Sequence, residues 1–205
     1  MSKEDEKILV VPREIVIPQP WRGIKTEGVE GFEKLVRENG SFRRRGDMET
    51  NALWKQVIPY MVFQHQDKYF LMQRTDIGGE ARLYNLYSLG IGGHINEQDL
   101  AGETIMDWAR REFEEEVDYS GQFTAIPVGL LNDDTNDVGK VHLGYVFLLK
   151  GDSDRIQIRD EHQSGKLMSL YEMRFLTPQM ENWSSIIWDH LAKDQVLGHL
   201  KEENG

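Results

Sequence analysis

The sequence predicts an α/β fold in which a mixed β-sheet is sandwiched between helices. Three observations carry this expectation. Apolar runs of strand length, bounded by Gly, Pro, Asn and Asp, recur along the chain and are interrupted by helical patterns. Residues 102–117 set Ile105, Ala109 and Phe113 four apart, the apolar stripe of a helix laid on a sheet. Residues 179–200 set Trp183, Ile187, Leu191 and Val196 near helical spacing, a second helix that closes the fold. There is no repeat, heptad or low-complexity tract.

The elements follow in order. Residues 1–50 read as an N-terminal extension and residues 51–205 as the main domain. In the extension, residues 8–11 and 14–17 are strand-like, split by Pro12 and closed by Pro18 and Pro20. Residues 29–37 carry Phe32, Leu35 and Val36 at helical spacing, and Asn39-Gly40 ends that helix. Arg43-Arg44-Arg45-Gly46 reads as a loop. Residues 57–64 and 68–74 are two strands joined by a turn around His65-Gln66-Asp67. Residues 86–95 read as a third strand, in which Gly90, Gly92 and Gly93 permit close backbone approach to a ligand. The striped helix follows, then strands at 123–131 and 140–150 around the acidic segment 132–137. That segment lacks the sixth-position glycine and the terminal glutamate of a calcium loop, so it reads as a polar hairpin turn. A short strand at 167–170 and the closing helix complete the chain. Free-standing strands in the extension would expose unpaired edges, so it is expected to pack on the main domain or on a second copy, as a homodimer.

Composition removes several classes. The formal charge of −11 leaves no basic stripe for a nucleic-acid surface. It leaves a nucleotide substrate open, because metal ions screen phosphates locally. With no cysteine, disulfides, thiolate catalysis and Cys-ligated zinc are excluded. His65, His94, His142 and His162 are scattered, with no zinc spacing. The acidic start, Met1 to Glu6, has no secretory apolar core, and the apolar runs are too short to span a bilayer. These features predict a cytoplasmic protein without a membrane segment.

The chemistry is concentrated in residues 103–116, E-T-I-M-D-W-A-R-R-E-F-E-E-E. On a helix, Glu112, Glu115 and Glu116 stand at i, i+3 and i+4 and share one face. Like charges at those spacings repel. The plainer reading is a solvated acidic face in a Glu-rich chain. The functional one is a divalent cation, which takes hard oxygen ligands and removes the conflict. Two further features favour the second. Glu103 stands eight residues before Arg111, which directly precedes Glu112, and Gly92-Gly93-His94 lies just upstream.

From Glu103 the chain runs E-x7-R-E-F-E-E-E-V-D-Y. With the upstream glycines this resembles the Nudix box, G-x5-E-x7-R-E-U-x-E-E-x-G-U, where U is bulky and apolar. Nine residues separate Gly93 from Glu103 where the pattern has five, a four-residue insertion, and Asp118 stands in place of the last glycine. Neither departure touches a carboxylate.

The resemblance covers roughly residues 52–195 and implies a Nudix-type α/β/α sandwich with a mixed sheet. It implies a Mg²⁺- or Mn²⁺-dependent pyrophosphohydrolase acting on a small-molecule diphosphate. Glu112, Glu115, Glu116 and the Gly93 carbonyl would be metal ligands. Arg111 would orient a box glutamate, and Glu103 would hold Arg111 or a water on the metal. The catalytic base would be a box glutamate or an acid in a later loop, where Glu161 is the candidate. Arg74, at a strand end, and the run around Arg44 could contact phosphate, although basic loops are usually solvated. His94 could line the cleft, or be a satisfied structural histidine. No marker of ADP-ribose, diadenosine polyphosphate, coenzyme A or NADH hydrolases stands at its expected place, so no substrate is implied.

Three other readings fit the sequence less well. An isopentenyl-diphosphate-isomerase-like enzyme would need a cysteine. A non-catalytic ligand sensor on the same fold tends to lose box carboxylates, and all are kept. A plain acidic interaction protein leaves the Arg111-Glu112 spacing unexplained.

Overall fold

The computed structural model describes residues 2–74, 85–97, 104–159 and 162–202. Its strands are β1 (Lys7–Pro12), β2 (Gly23–Lys25), β3 (Ser41–Arg44), β4 (Trp54–His65), β5 (Lys68–Arg74), β6 (Tyr87–Ser88), β7 (Ile91–Gly92), β8 (Val117–Tyr119), β9 (Phe123–Asn132), β10 (His142–Gly151), β11 (Ile156–Ile158) and β12 (His162–Ser169). Its helices are α1 (Arg13–Val16), α2 (Val29–Asn39), α3 (Arg45–Met48), α4 (Ile105–Glu116), α5 (Asp137–Val141), α6 (Leu170–Met173) and α7 (Asn182–Glu202). The fold is α/β with a mixed sheet, as the pattern predicts.

The chain forms two compact units. The first is Met1–Met61, Ile91–Glu115 and Ala125–Leu148, so residues 1–50 belong to the unit that carries most of α4. Here β1 pairs antiparallel with β3 along residues 7–10 and with β4 along residues 10–12. The free strand edge that motivated a dimer is therefore absent from β1. Helix α2 buries Phe32 and Val36, as its spacing predicts, and sets the Phe32 ring edge-on to Tyr145 at 4.9 Å. Helix α4 buries Ile105, Ala109 and Phe113. Its first turn is fixed by a reciprocal cap: Thr104 Oγ1 accepts from the Asp107 N–H at 3.1 Å, and Asp107 Oδ2 accepts from the Thr104 N–H at 3.0 Å.

The polar turn expected at residues 132–137 is present at Asp134-Thr135, and Asn132 to Asp134 leading into it also build an ionic cage. Lys55 on β4 has no exposed surface. Its Nζ faces Asn132 Oδ1 and Asp134 Oδ1, both at 2.8 Å, and the carbonyls of Gly139 at 2.7 Å and His142 at 3.0 Å. Arg13 Nη1 donates to Asp134 at 3.2 Å, and Arg22 Nε donates to the fully buried Asp133 at 3.1 Å. Asn136 caps α5 by accepting from the Gly139 N–H at 2.8 Å. Burial pushes the Lys55 ammonium down to about 8, against the pull of Asp134. Burial alone would raise Asp134. Hydrogen bonds from Arg13, Lys55 and Asn132 outweigh it and hold the carboxyl well below its ordinary 3.8. The two shifts fit together because Lys55 is wholly enclosed, whereas Asp134 lies at the rim with a second cation.

An acid dependence follows. The folded pKa of Asp134 lies below the unfolded one, so its contribution is complete above pH 3.8 and is lost as pH falls through the folded value. The difference in unfolding free energy between wild type and Asp134→Asn, by urea titration, is expected to shrink steadily below pH 4. A difference that stays constant down to pH 2.5, roughly, contradicts this assignment of the linkage.

Three other expectations are corrected in this unit or at its border. Residues 14–17 are not a strand: Arg13–Val16 form one helical turn, and Arg13 reaches Asp134 and the Lys140 carbonyl. The Arg43–Gly46 segment is not a loop, since Ser41–Arg44 pair with β1 and Arg45–Met48 turn helically. Residues 86–95 are not one strand. The Ser88 hydroxyl donates to the Gly90 carbonyl at 2.8 Å, bending the chain between β6 and β7.

The second unit is Val62–Gly90, Glu116–Thr124 and Leu149–Gly205. The end of β4 and β5 form the expected hairpin, with Gln64 opposite Tyr69 and Gln66 at φ 55 in the turn. Strand β5 pairs antiparallel with β12, from Lys68 opposite Ser169 to Arg74 opposite His162, and with β6. Strands β8 and β11 form a separate ribbon. Helix α7 is tied in by Ser184, whose hydroxyl oxygen accepts from the Leu89 N–H at 2.9 Å. Among the described residues, no helix is long and apolar enough to cross a membrane.

Candidate active site

Strand pairing sets the first part of the site. Gly92 in β7 lies opposite Tyr60 in β4, and Gly93 follows directly. A Cβ added at Gly93 would stand 2.5 Å from both Cδ and Oε2 of Glu112. The glycine therefore lets the backbone lie flush against that carboxylate, a close approach only Gly permits.

Helix α4 supplies the rest. Its apolar face is buried; Arg111 and Glu115 stand out from it, while Glu112 lies at its border against Gly93. Arg111 Nη2 donates to Glu112 Oε1 at 2.8 Å, and Nη1 donates to Glu115 Oε1 at 2.8 Å and Oε2 at 3.0 Å. One guanidinium thus holds two carboxylates that would otherwise repel at i and i+3. The pair differs in burial: the Glu112 side chain is 21% exposed and that of Glu115 is 57% exposed. Glu116 is the last residue of the helix, and its carbonyl accepts from the Arg159 N–H at 2.9 Å.

The structure thus gathers Gly93, Arg111, Glu112 and Glu115, with Glu116 at the helix end. The other sequence candidates stand as follows. Arg44 pairs with Asp5 at 2.9 Å and Asp47 at 3.2 Å. Arg74 closes β5 opposite His162. Glu103 and Glu161 lie outside the described residues. The His94 Nε2 lies 2.6 Å from Gln56 Oε1 and 3.2 Å from His142 Nε2. Burial, with the His142 ring beside it, pushes His94 well below its ordinary 6.5. Burial likewise lowers His142, against the pull of the Val138 carbonyl. Sequence reasoning did not single out Gln56 or His142 as partners of His94. They are 38 and 48 residues away from it, so no local periodicity connects them.

All the donors near α4 are hard oxygens, the set that Mg²⁺ and Mn²⁺ take. As the side chains stand, Arg111 draws in Glu112 and Glu115, and among the described residues no three His, Cys, Asp or Glu side chains are gathered round one point.

Known proteins share this framework. The chain is 35% identical to Protein YmaB of Bacillus subtilis (strain 168), over 93% of this chain and 100% of that one. It is 32% identical to Tm1382, a predicted Nudix hydrolase of known crystal structure, with a TM-score of 0.71 over 91% of this chain and 98% of that one. The MutT protein from Methanosarcina mazei Go1 shares the fold at 13% identity, with a TM-score of 0.51 over 69% of this chain and 95% of that one. No protein-family model matches. The chain belongs to the Nudix hydrolase superfamily.

Proposed function

We propose that the protein hydrolyses a diphosphate linkage in a nucleoside-diphosphate-type small molecule, with Mg²⁺ or Mn²⁺ as its cofactor. The observation that carries this reading is the Arg111 clamp on Glu112 and Glu115 beside the Gly93 backbone. A surface helix has no structural need to gather these carboxylates, whereas a divalent cation does.

The donor set, hard oxygens carried on α4 and at Gly93, fits such an ion in chemistry. Glu112, Glu115, Glu116 and the Gly93 carbonyl would hold it. When bound, the ion neutralises phosphoryl charge and polarises the scissile anhydride. The chain's own residues do the rest. Arg111 sets the rotamers of two carboxylates through charge-assisted hydrogen bonds. Glu103, eight residues upstream, would brace Arg111. The attacking water would lose its proton to a carboxylate, either a box glutamate or Glu161. Arg44 is already paired, and His94 is already hydrogen-bonded.

A melting experiment tests the metal part. An ion that binds only the folded chain at a hundredfold above its Kd adds about 2.7 kcal/mol of stability, or roughly 5–10 °C for a chain of this size. Melts in excess Mg²⁺ and in EDTA are expected to differ by that order. Superimposable melts would remove the cation from the reading.

A further inference from the structure

We infer that Gln56 and His142 are positioning residues: through His94 they fix the backbone at Gly93, which lies against Glu112. The inference rests on the cation site proposed above and adds two residues that no motif marks.

The hydrogen bonds run in one consistent direction. The Val138 carbonyl can only accept, and His142 Nδ1 lies 2.8 Å from it. The proton of the neutral His142 ring therefore sits on Nδ1, and Nε2 is left as an acceptor. His94 Nε2 is 3.2 Å from that nitrogen and 2.6 Å from Gln56 Oε1, so His94 carries its proton on Nε2 and donates toward both. Gln56 is oriented to receive it. Its Nε2 donates to the Met48 carbonyl at 3.2 Å, which leaves Oε1 facing His94. Each anchor is itself fixed. Gln56 has no exposed surface and pairs through β4 with Val10, and Val138 belongs to the capped helix α5.

His94 is the residue after Gly93, so the ring and the Gly93 backbone move together. The room at Gly93 is already small, because even a methyl group there would overlap Glu112. A few tenths of an ångström at His94 therefore moves a ligand atom relative to the carboxylates. Partners that orient a ligating group commonly influence metal affinity tenfold to a hundredfold.

The test is Mn²⁺ binding to the full chain, read by the spin-resonance signal of the free ion. Folded Gln56→Leu is expected to bind Mn²⁺ about 10- to 100-fold more weakly than wild type. Gln56→Glu, which keeps an oxygen facing His94, is expected to recover most of that loss. A merely structural Gln56 would change the melt and leave the Mn²⁺ affinity of the folded variant alone, and that result overturns the inference. A wild type that binds no Mn²⁺ overturns the cation reading itself, and the inference with it. If Gln56→Leu does not fold, nitrogen-15 spectra of wild-type histidines decide. His94 protonated on Nε2 with His142 protonated on Nδ1 is expected, and the opposite tautomer of either ring breaks the chain of hydrogen bonds and overturns it.

Discussion

Glu112→Gln and Glu116→Gln each lose about a hundredfold or more of turnover, the scale of removing one preorganised electrostatic group, and keep the wild-type melt in EDTA. Gln is nearly isosteric with Glu, so the only change is one charge. Both positions lie along the same side of α4 as Ile105, Ala109 and Phe113 but are only part-buried, so an amide of the same size is expected to leave the packing of the stripe intact. Without metal, Glu112→Gln weakens the bond from Arg111 but relieves repulsion among the carboxylates, two part-exposed effects of opposite sign that leave a small net change. Gly93→Ala is the companion change. Its methyl group meets the far end of a flexible Glu112 side chain, not backbone, so the fold is expected to survive while the carboxylate is displaced. Steady-state rates at saturating Mg²⁺ check all three. Near wild-type turnover in Glu116→Gln would mean that the box carboxylates are misassigned.

Lys55→Met is expected to destabilise the protein by about 3–5 kcal/mol, the usual scale for removing one partner of a buried pair. The flexible apolar chain fills much of the lysine volume, so cavity terms are small. The loss comes from acceptors. Asn132 Oδ1 and the carbonyls of Gly139 and His142 lose their bond to the ammonium, and Asp134 keeps Arg13 as its cation. Urea midpoints with an unchanged slope measure this cleanly. Adding Asp134→Asn is expected to cost less in the Lys55→Met background than in wild type, because the two residues are in direct contact. A loss under about 1 kcal/mol would put the cage on the footing of an exposed ion pair.

The parts that sequence reasoning reached share one property, that their signal is local. Helix α4 declares itself by a four-residue stripe, and its carboxylate face follows from the same period. The β4–β5 hairpin declares itself by two apolar strands around His65-Gln66-Asp67. The glycine-rich run before the helix pointed to a close backbone approach to a ligand; that Gly93 lies against Glu112 came only from the structure. What was not legible depends on long-range partners. Residues 132–137 look like a turn and nothing more until Lys55, some eighty residues earlier in the chain, reaches into them. Residues 14–17 have strand composition, yet Arg13 is drawn toward Asp134 and the backbone turns helically. Tertiary contacts override weak local preference there. The boundary expected at residue 50 falls inside the first unit, because β1 and β4 pair across it.

The most direct test of the central claim is turnover against a panel of nucleoside diphosphate derivatives, with Mg²⁺ or Mn²⁺ and with EDTA, followed by phosphate analysis of the products. The account predicts cleavage of the P–O–P bond of at least one compound, complete dependence on the divalent ion, and loss of that activity in Glu116→Gln. Cleavage that persists in EDTA, or that is retained by Glu116→Gln, would contradict it.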